Sequence, residues 1–270
     1  MKWNRMDLPD GWTAETVSAN GIDLHYYRTG DGPSLVMAHA FFANGRCWAP
    51  LAEDLADDYD VIAYDARGHG RSDAPETGYD IGNRIADLIG IVNELDLDDP
   101  IMLGHSMGAG TVAWTAAEHP ELPRAVILED PVGLYGTPEM EPGERAQAIQ
   151  ENLRDRATRS LEEEIETSYE GFDPDWARRF AVASAECSPN VAEIGREGYP
   201  SLLDEVFPKI ISPTLVLKAD ADVDTRVKDL EVGDELPAGR FVHIPNAGHY
   251  IFSNEYDAAY TELRTFLQRV

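Results

Sequence analysis

The residues Gly104-His105-Ser106-Met107-Gly108 follow the apolar run Ile101-Met102-Leu103 and precede an alanine-rich stretch. The lead-in reads as a buried strand, and Ala109 to His119 reads as a helix. A Gly-x-Ser-x-Gly between strand and helix makes a sharp turn that exposes the serine hydroxyl. Its glycines allow close approach where a Cβ would clash, and the helix N-terminus beyond favours developing negative charge. Ser106 is therefore a candidate nucleophile. The pattern alone is weak, because chance supplies on the order of 0.1 such matches in a chain this long. The competing reading is a glycine-rich turn with a capping serine. A nucleophilic serine also needs a base, and the base needs an orienting acid.

The base is expected at His249. Phe241 to Ile244 reads as a strand, Pro245 to Gly248 break it, and His249 is left on the following loop. An imidazole there can take the Ser106 proton and return it to a leaving group. The chain has seven histidines. His25, His119 and His243 read as structural or exposed, His39 ends an early strand, His69 lies in an arginine-glycine turn, and His105 is inside the serine turn. Three carboxylates are open for the acid: Asp222 and Asp220 after the strand Pro213 to Leu217, and Asp130 after the strand ending Ile127-Leu128-Glu129. Asp220, Asp222, Asp224 and Glu231 also fit positions 1, 3, 5 and 12 of a calcium loop. That reading is disfavoured because position 6 is Thr225 rather than Gly and the flank reads as strand rather than helix.

Together these residues resemble the α/β-hydrolase family of esterases, lactonases, C–C bond hydrolases, cofactor-free haloperoxidases and epoxide hydrolases. Leu35-Val36-Met37-Ala38-His39-Ala40-Phe41 is similar to the family's strand and His-Gly-x turn. Val61-Ile62-Ala63-Tyr64-Asp65-Ala66-Arg67-Gly68-His69-Gly70-Arg71-Ser72 is similar to its strand with Asp-x-Arg-Gly-x-Gly-x-Ser, and Trp48 to Leu55 to the helix between them. The resemblance runs from about Ile22 to Gly133 and from about Phe207 to Val270. It implies the order Ser, acid, His, and favours Asp222, which the family's strand-Gly-x-x-Asp spacing reaches with Ala219 in place of Gly; Asp220 is second and Asp130 third. It also implies an oxyanion hole built from the backbone N–H groups of Met107 and Phe41. The family has Gly where this chain has Ala40, a replacement costing about 1 kcal/mol or more if the position needs positive φ. Related epoxide hydrolases and haloalkane dehalogenases carry Asp at the nucleophile position. Ser106 implies attack on a carbonyl instead.

The elements that must hold these residues are legible in outline. An opening hairpin spans Thr16 to Tyr27 around Asn20-Gly21. Short apolar strands then alternate with helices: Leu35 to Ala38, Val61 to Asp65, Ile101 to Gly104, Ala125 to Glu129, Thr214 to Lys218 and Arg240 to Ile244. Tyr79 to Leu95 and Tyr256 to Val270 read as covering helices. This predicts an α/β fold with a mostly parallel sheet and helices on both faces. Residues 1–133 and 208–270 form the expected core. Residues 134–207 have no strand-like run; Gln147 to Ser168 and Asp175 to Glu186 read as helices, similar to the family's helical cap. Such a cap shields an acyl-enzyme and shapes the pocket. Tyr135, Phe172, Trp176, Phe180 and Phe207 are the aromatic residues expected to line it, against the plainer reading that they pack the cap onto the core.

Composition narrows the class. The 270 residues include 50 acidic and 22 basic side chains, a net charge of −28, with four lysines only (Lys2, Lys209, Lys218, Lys228). Phosphate backbones would be repelled, so nucleic acid is disfavoured as a partner. The acids are scattered as a solvated shell, which resembles proteins of salt-accumulating halophiles, since molar salt removes the self-repulsion of dense like charge. There is no apolar run long enough for a membrane span and no signal-peptide stretch at Met1 to Asp7. Cys47 and Cys187 are too few for a disulfide framework, so a reduced cytoplasm is expected. The reading that results is a cofactor-free, metal-free serine hydrolase acting on a small ester-like substrate. Lactonase, C–C hydrolase and perhydrolase or haloperoxidase-like chemistry share these residues. A small-molecule receptor on the same fold is the non-enzyme alternative, and a scaffold with a vestigial site is the third, because function lives in the site.

Overall fold

The computed structural model describes residues 8–134, 140–197 and 206–270. Strands β1 (Thr13–Ala19) and β2 (Ile22–Thr29) form the opening hairpin. The turn works because Asn20 and Gly21 take φ 47° and 75°, the left-handed pair that a two-residue hairpin requires. Then come β3 (Ser34–Ala38), α1 (Ala49–Leu55), β4 (Asp60–Tyr64), α2 (Ile81–Glu94), β5 (Ile101–His105), α3 (Met107–Glu118) and β6 (Ala125–Glu129). After β6 the chain carries α4 (Pro142–Thr158), α5 (Leu161–Ser168), α6 (Pro174–Ala185) and the short α7 (Ile194–Glu197). It closes with β7 (Thr214–Lys218), α8 (Val223–Gly233), β8 (Gly239–His243), α9 (Ile251–Asn254) and α10 (Tyr256–Leu267).

The eight strands form one sheet in the order β1-β2-β4-β3-β5-β6-β7-β8. The pairs β1/β2 and β2/β4 are antiparallel and the rest parallel. Side chains alternate across each strand. Val36, Ile62, Met102, Val126 and Val216 face α2 and α3, with Leu88, Ile91 and Val112. Leu35, Val61, Leu103, Ile127 and Leu215 face α1 and α10, with Leu51, Leu55 and Leu263. Both faces are dry, which is why the parallel strands read as continuous apolar runs. Among the described residues, no helix is long and apolar enough to cross a membrane.

The expected single helix from Gln147 to Ser168 is two. Arg159 turns extended at ψ 151°, and Ser160 starts α5 with a capping box in which its hydroxyl accepts the Glu163 N–H while the Glu163 carboxylate accepts the Ser160 N–H. Reciprocal satisfaction of two otherwise orphaned donors makes a new start cheaper than continuing the helix.

Candidate active site

The site stands at the C-terminal ends of β5 and β6. Ser106 links β5 to α3 at φ 53°, ψ −111°, a conformation that costs a non-glycine residue on the order of 1–3 kcal/mol. Its neighbours enforce it. A Cβ on Gly104 would lie 2.4 Å from the Gly108 carbonyl oxygen, and one on Gly108 would lie 2.1 Å from the Ala38 carbonyl oxygen. Only glycine at both positions lets α3 start this close to β3 and β5. The Ser106 N–H donates to the Glu129 carbonyl at 2.9 Å, tying the turn to β6.

Three side chains meet there. Ser106 Oγ lies 2.9 Å from His249 Nε2, and His249 Nδ1 lies 2.6 Å from Asp130 Oδ2. With Nδ1–H donating to the carboxylate, Nε2 is left to accept the serine proton. Asp130 follows β6 at φ 37°, and its N–H donates to the Leu217 carbonyl at 2.8 Å. Its other oxygen accepts from the Lys218 ammonium. Burial works to raise the Asp130 pKa, but the His249 hydrogen bond and the adjacent Lys218 charge overcome it and hold the carboxyl down at about 2.

The carboxylate that meets the His249 imidazole is Asp130, and the expectation that Asp222 does so is corrected. Asp222 caps α8, accepting the Thr225 N–H at 2.9 Å and the Thr225 hydroxyl at 3.1 Å. Asp220 accepts the N–H of Asn246 at 2.7 Å and of Ala221 at 2.8 Å and pairs with Arg226. It braces the loop that carries His249 rather than touching the imidazole. Both acids spend their lone pairs on donors other than the imidazole, Asp222 as a helix cap and Asp220 between two loops.

Beneath the three side chains lies a second buried layer. His105 Nε2–H donates to the His249 carbonyl at 2.9 Å, and burial holds its ring neutral, with its pKa lowered to about 3. Glu129 is 2 % exposed, accepts the Phe252 N–H at 3.1 Å, and is pushed up to about 8 chiefly by burial. The position of His105 inside the serine turn does not by itself announce this brace.

The loop of Ala40 and Phe41 is held by two buried imidazoles. His39 Nε2 accepts the Ala66 N–H at 2.9 Å, so Nδ1 carries the proton and donates to the Ala40 carbonyl at 2.7 Å. A trans peptide points its N–H opposite to its carbonyl, so the Phe41 N–H faces away from His39. His69 Nε2 lies 2.5 Å from the Phe41 carbonyl oxygen. Ala40 is not among the residues at positive φ, so Ala there costs no left-handed strain. Met107 opens α3, where the first N–H groups have no partner within the helix. The Asp-x-Arg-Gly segment is scaffold: Asp65 accepts the Gly45 and Arg71 N–H groups at 2.7 and 2.8 Å, and Arg67 grips Asp87 through two bonds of 2.6 Å.

Ser106 and His249 open into a cleft of about 540 Å³ whose walls include Phe41, Phe42, Val132 and Tyr250. Helix α4 adds Arg145, Ile149 and Arg156. Four of the expected pocket aromatics are not in this wall. Trp176 and Phe180 stack on each other with centroids 5.8 Å apart, and Phe180 packs against Tyr250 with centroids 4.7 Å apart, in the core on the α1 and α10 side of the sheet. Phe207 is fully buried against the opposite face of the sheet with Phe241. Phe172 packs on Tyr169 and Tyr250, and Tyr135 lies outside the described residues. Large aromatics bury more area in a core than on a wetted wall.

A family model described as "Alpha/beta hydrolase family" matches residues 35–263. The chain is 36% identical over 121 residues to a 2-(acetamidomethylene)succinate hydrolase of Mesorhizobium japonicum, a match spanning 45% of this chain and 44% of that relative. It thus aligns with less than half of that protein's length. It is 28% identical over 269 residues to a putative non-heme chloroperoxidase of Synechocystis sp., covering 92% of this chain and 95% of that one. Among solved structures, an esterase from Exiguobacterium antarcticum superposes with a TM-score of 0.80 at 24% identity, covering 95% of this chain and all of the other. That last likeness bears on the fold alone.

Proposed function

Because this chain belongs to the alpha/beta hydrolase family, we propose that it is a serine hydrolase cleaving carboxylic esters or related carbonyl compounds of small size through an acyl-enzyme. The observation that carries the reading is the continuous relay from Ser106 Oγ through His249 to Asp130, with contacts of 2.9 and 2.6 Å, at the floor of a cleft. Ser106 Oγ attacks the carbonyl carbon as its proton passes to His249 Nε2. Asp130 stabilises the imidazolium and fixes its tautomer without itself taking the proton. The N–H groups of Met107 and Phe41 receive the oxyanion, where preorganised donors do most. The tetrahedral species collapses, the leaving group takes the proton from Nε2, and water repeats the sequence to free the acid. The acid-rich surface belongs to the same proposal, as an adaptation to concentrated salt.

The test is direct. A fluorophosphonate should label Ser106 alone, and Ser106→Ala should abolish p-nitrophenyl acetate turnover. Turnover retained in that variant would falsify the assignment.

A further inference from the structure

Two guanidinium groups stand in the wall of the Ser106 cleft, and no carboxylate joins them among the described lining residues. That runs against the composition, in which 50 acidic residues face 22 basic ones. Both come from α4. Arg145, Ile149 and Arg156 are i, i+4 and i+11, positions that an α-helix brings to within about 40° of one another. One helical face therefore looks down on the nucleophile with an apolar centre and a cation at each end.

Arg156 is held as a receptor is held. Its Nε donates to Asn152 Oδ1 at 2.7 Å, its Nη1 donates to Glu164 and lies 3.4 Å from the Tyr169 hydroxyl, and its Cζ stands over the Phe42 ring, 4.2 Å from the centroid. Its Nη2 makes no hydrogen bond to a described residue. Glu164, fully buried, also accepts from Arg159 at 2.8 Å. Arg159 also pairs with Asp155, so this cluster fixes the Arg156 guanidinium in place. Arg145 donates to the Gly195 and Met140 carbonyls at 3.2 and 3.0 Å. Arg156, a planar cation fixed on two sides with its Nη2 bonded to no described residue, suits a carboxylate better than a mobile lysine would.

We propose that the substrate carries a carboxylate, held by Arg156 with Arg145, a few bonds from the carbonyl that Ser106 attacks. Val132, Met140 and Ile149 in the same wall suit the short hydrocarbon spacer between the two groups. The proposal rests on the serine-hydrolase reading for the identity of the reacting carbonyl, but the anion site itself does not.

Three measurements on the full chain separate the two. Hydrolysis of monomethyl glutarate and of methyl pentanoate is followed by acid release. Titration calorimetry compares glutarate with its neutral isostere glutaramide. Fluorophosphonate labelling reports on Ser106. The expected results are kcat/KM at least about tenfold higher for the half-ester, heat from glutarate and not from glutaramide, and collapse of both preferences in Arg156→Gln. Arg145→Gln, which leaves the Glu164 cluster intact, should weaken glutarate binding too and guards against misfolding of the first variant. Labelled Ser106 with equal rates on both esters and no glutarate heat overturns the anion site and leaves the hydrolase standing. No labelling and no turnover, with glutarate still bound through these arginines, overturns the hydrolase reading instead. Preferences that survive in both variants overturn the assignment to Arg145 and Arg156.

Discussion

Lys218 and Asp130 sit side by side at the ends of neighbouring parallel strands, and the Lys218 ammonium bonds the same carboxylate that holds His249. The register requires it: Glu129 pairs with Leu217, so the next residue of each strand meets its counterpart just beyond the sheet. Asp130 is thus a carboxylate with a cation on one oxygen and an imidazole on the other.

Lys218→Met should narrow the working pH range from the acid side. Removing the ammonium takes away a cause that lowers the Asp130 pKa, so that pKa rises and the ionised acid is lost earlier as pH falls. The carboxyl is held at about 2 in the parent, so a rise of about one unit shows only at low pH, and kcat/KM followed from pH 5 down to pH 2.5 should fall earlier in the variant than in the parent. An unmoved limb would mean that the ion pair is packing only.

Asp130→Asn and Asp222→Ala should part company. The first leaves His249 in the wrong tautomer and should lower kcat on the order of 10⁴-fold. The second removes the α8 cap, which costs about 1 kcal/mol and lowers the melting temperature by roughly 2–4 °C, with turnover kept. Steady-state kinetics and a melting curve on each variant decide it. Loss of turnover in Asp222→Ala would return the acid to the loop after β7.

Glu129 should make the protein less stable as pH rises. Its folded-state pKa of about 8 lies above the ordinary glutamate value of 4.5, so between those values the folded state binds more protons than the unfolded one. Stability therefore falls with rising pH through that window. Glu129→Gln removes the slope, and its melting advantage over the parent should widen from pH 5 to pH 8. A constant difference across that range would show that the carboxyl ionises normally.

Salt should stabilise the fold. At −28 the surface repels itself, and raising the ionic strength from 0.1 to 1 M shortens the screening length from about 10 Å to about 3 Å. Unfolding midpoints in KCl should climb across this interval, and flat or falling midpoints would reject the salt adaptation.

Ser106 and His249 were legible in the chain because local covalent and steric demands announce them. A serine between two glycines at a strand-to-helix turn, and a histidine after a strand broken by Pro245 and Gly248, declare themselves within a few residues. The alternation of apolar strands and amphipathic helices declared the sheet for the same reason. The acid did not declare itself, because Asp130 and Asp222 have equivalent local settings. Which one meets the imidazole depends on sheet order, register and the left-handed turn of Asp130. Trp176, Phe180 and Phe207 announced burial but not which side of the sheet would bury them. Arg145 and Arg156 had helical spacing all along, yet only the packing of α4 over the cleft turned that face toward Ser106. Spacing along a chain encodes the face of an element, and the contact made by that face is settled by long-range packing, to which short segments are blind.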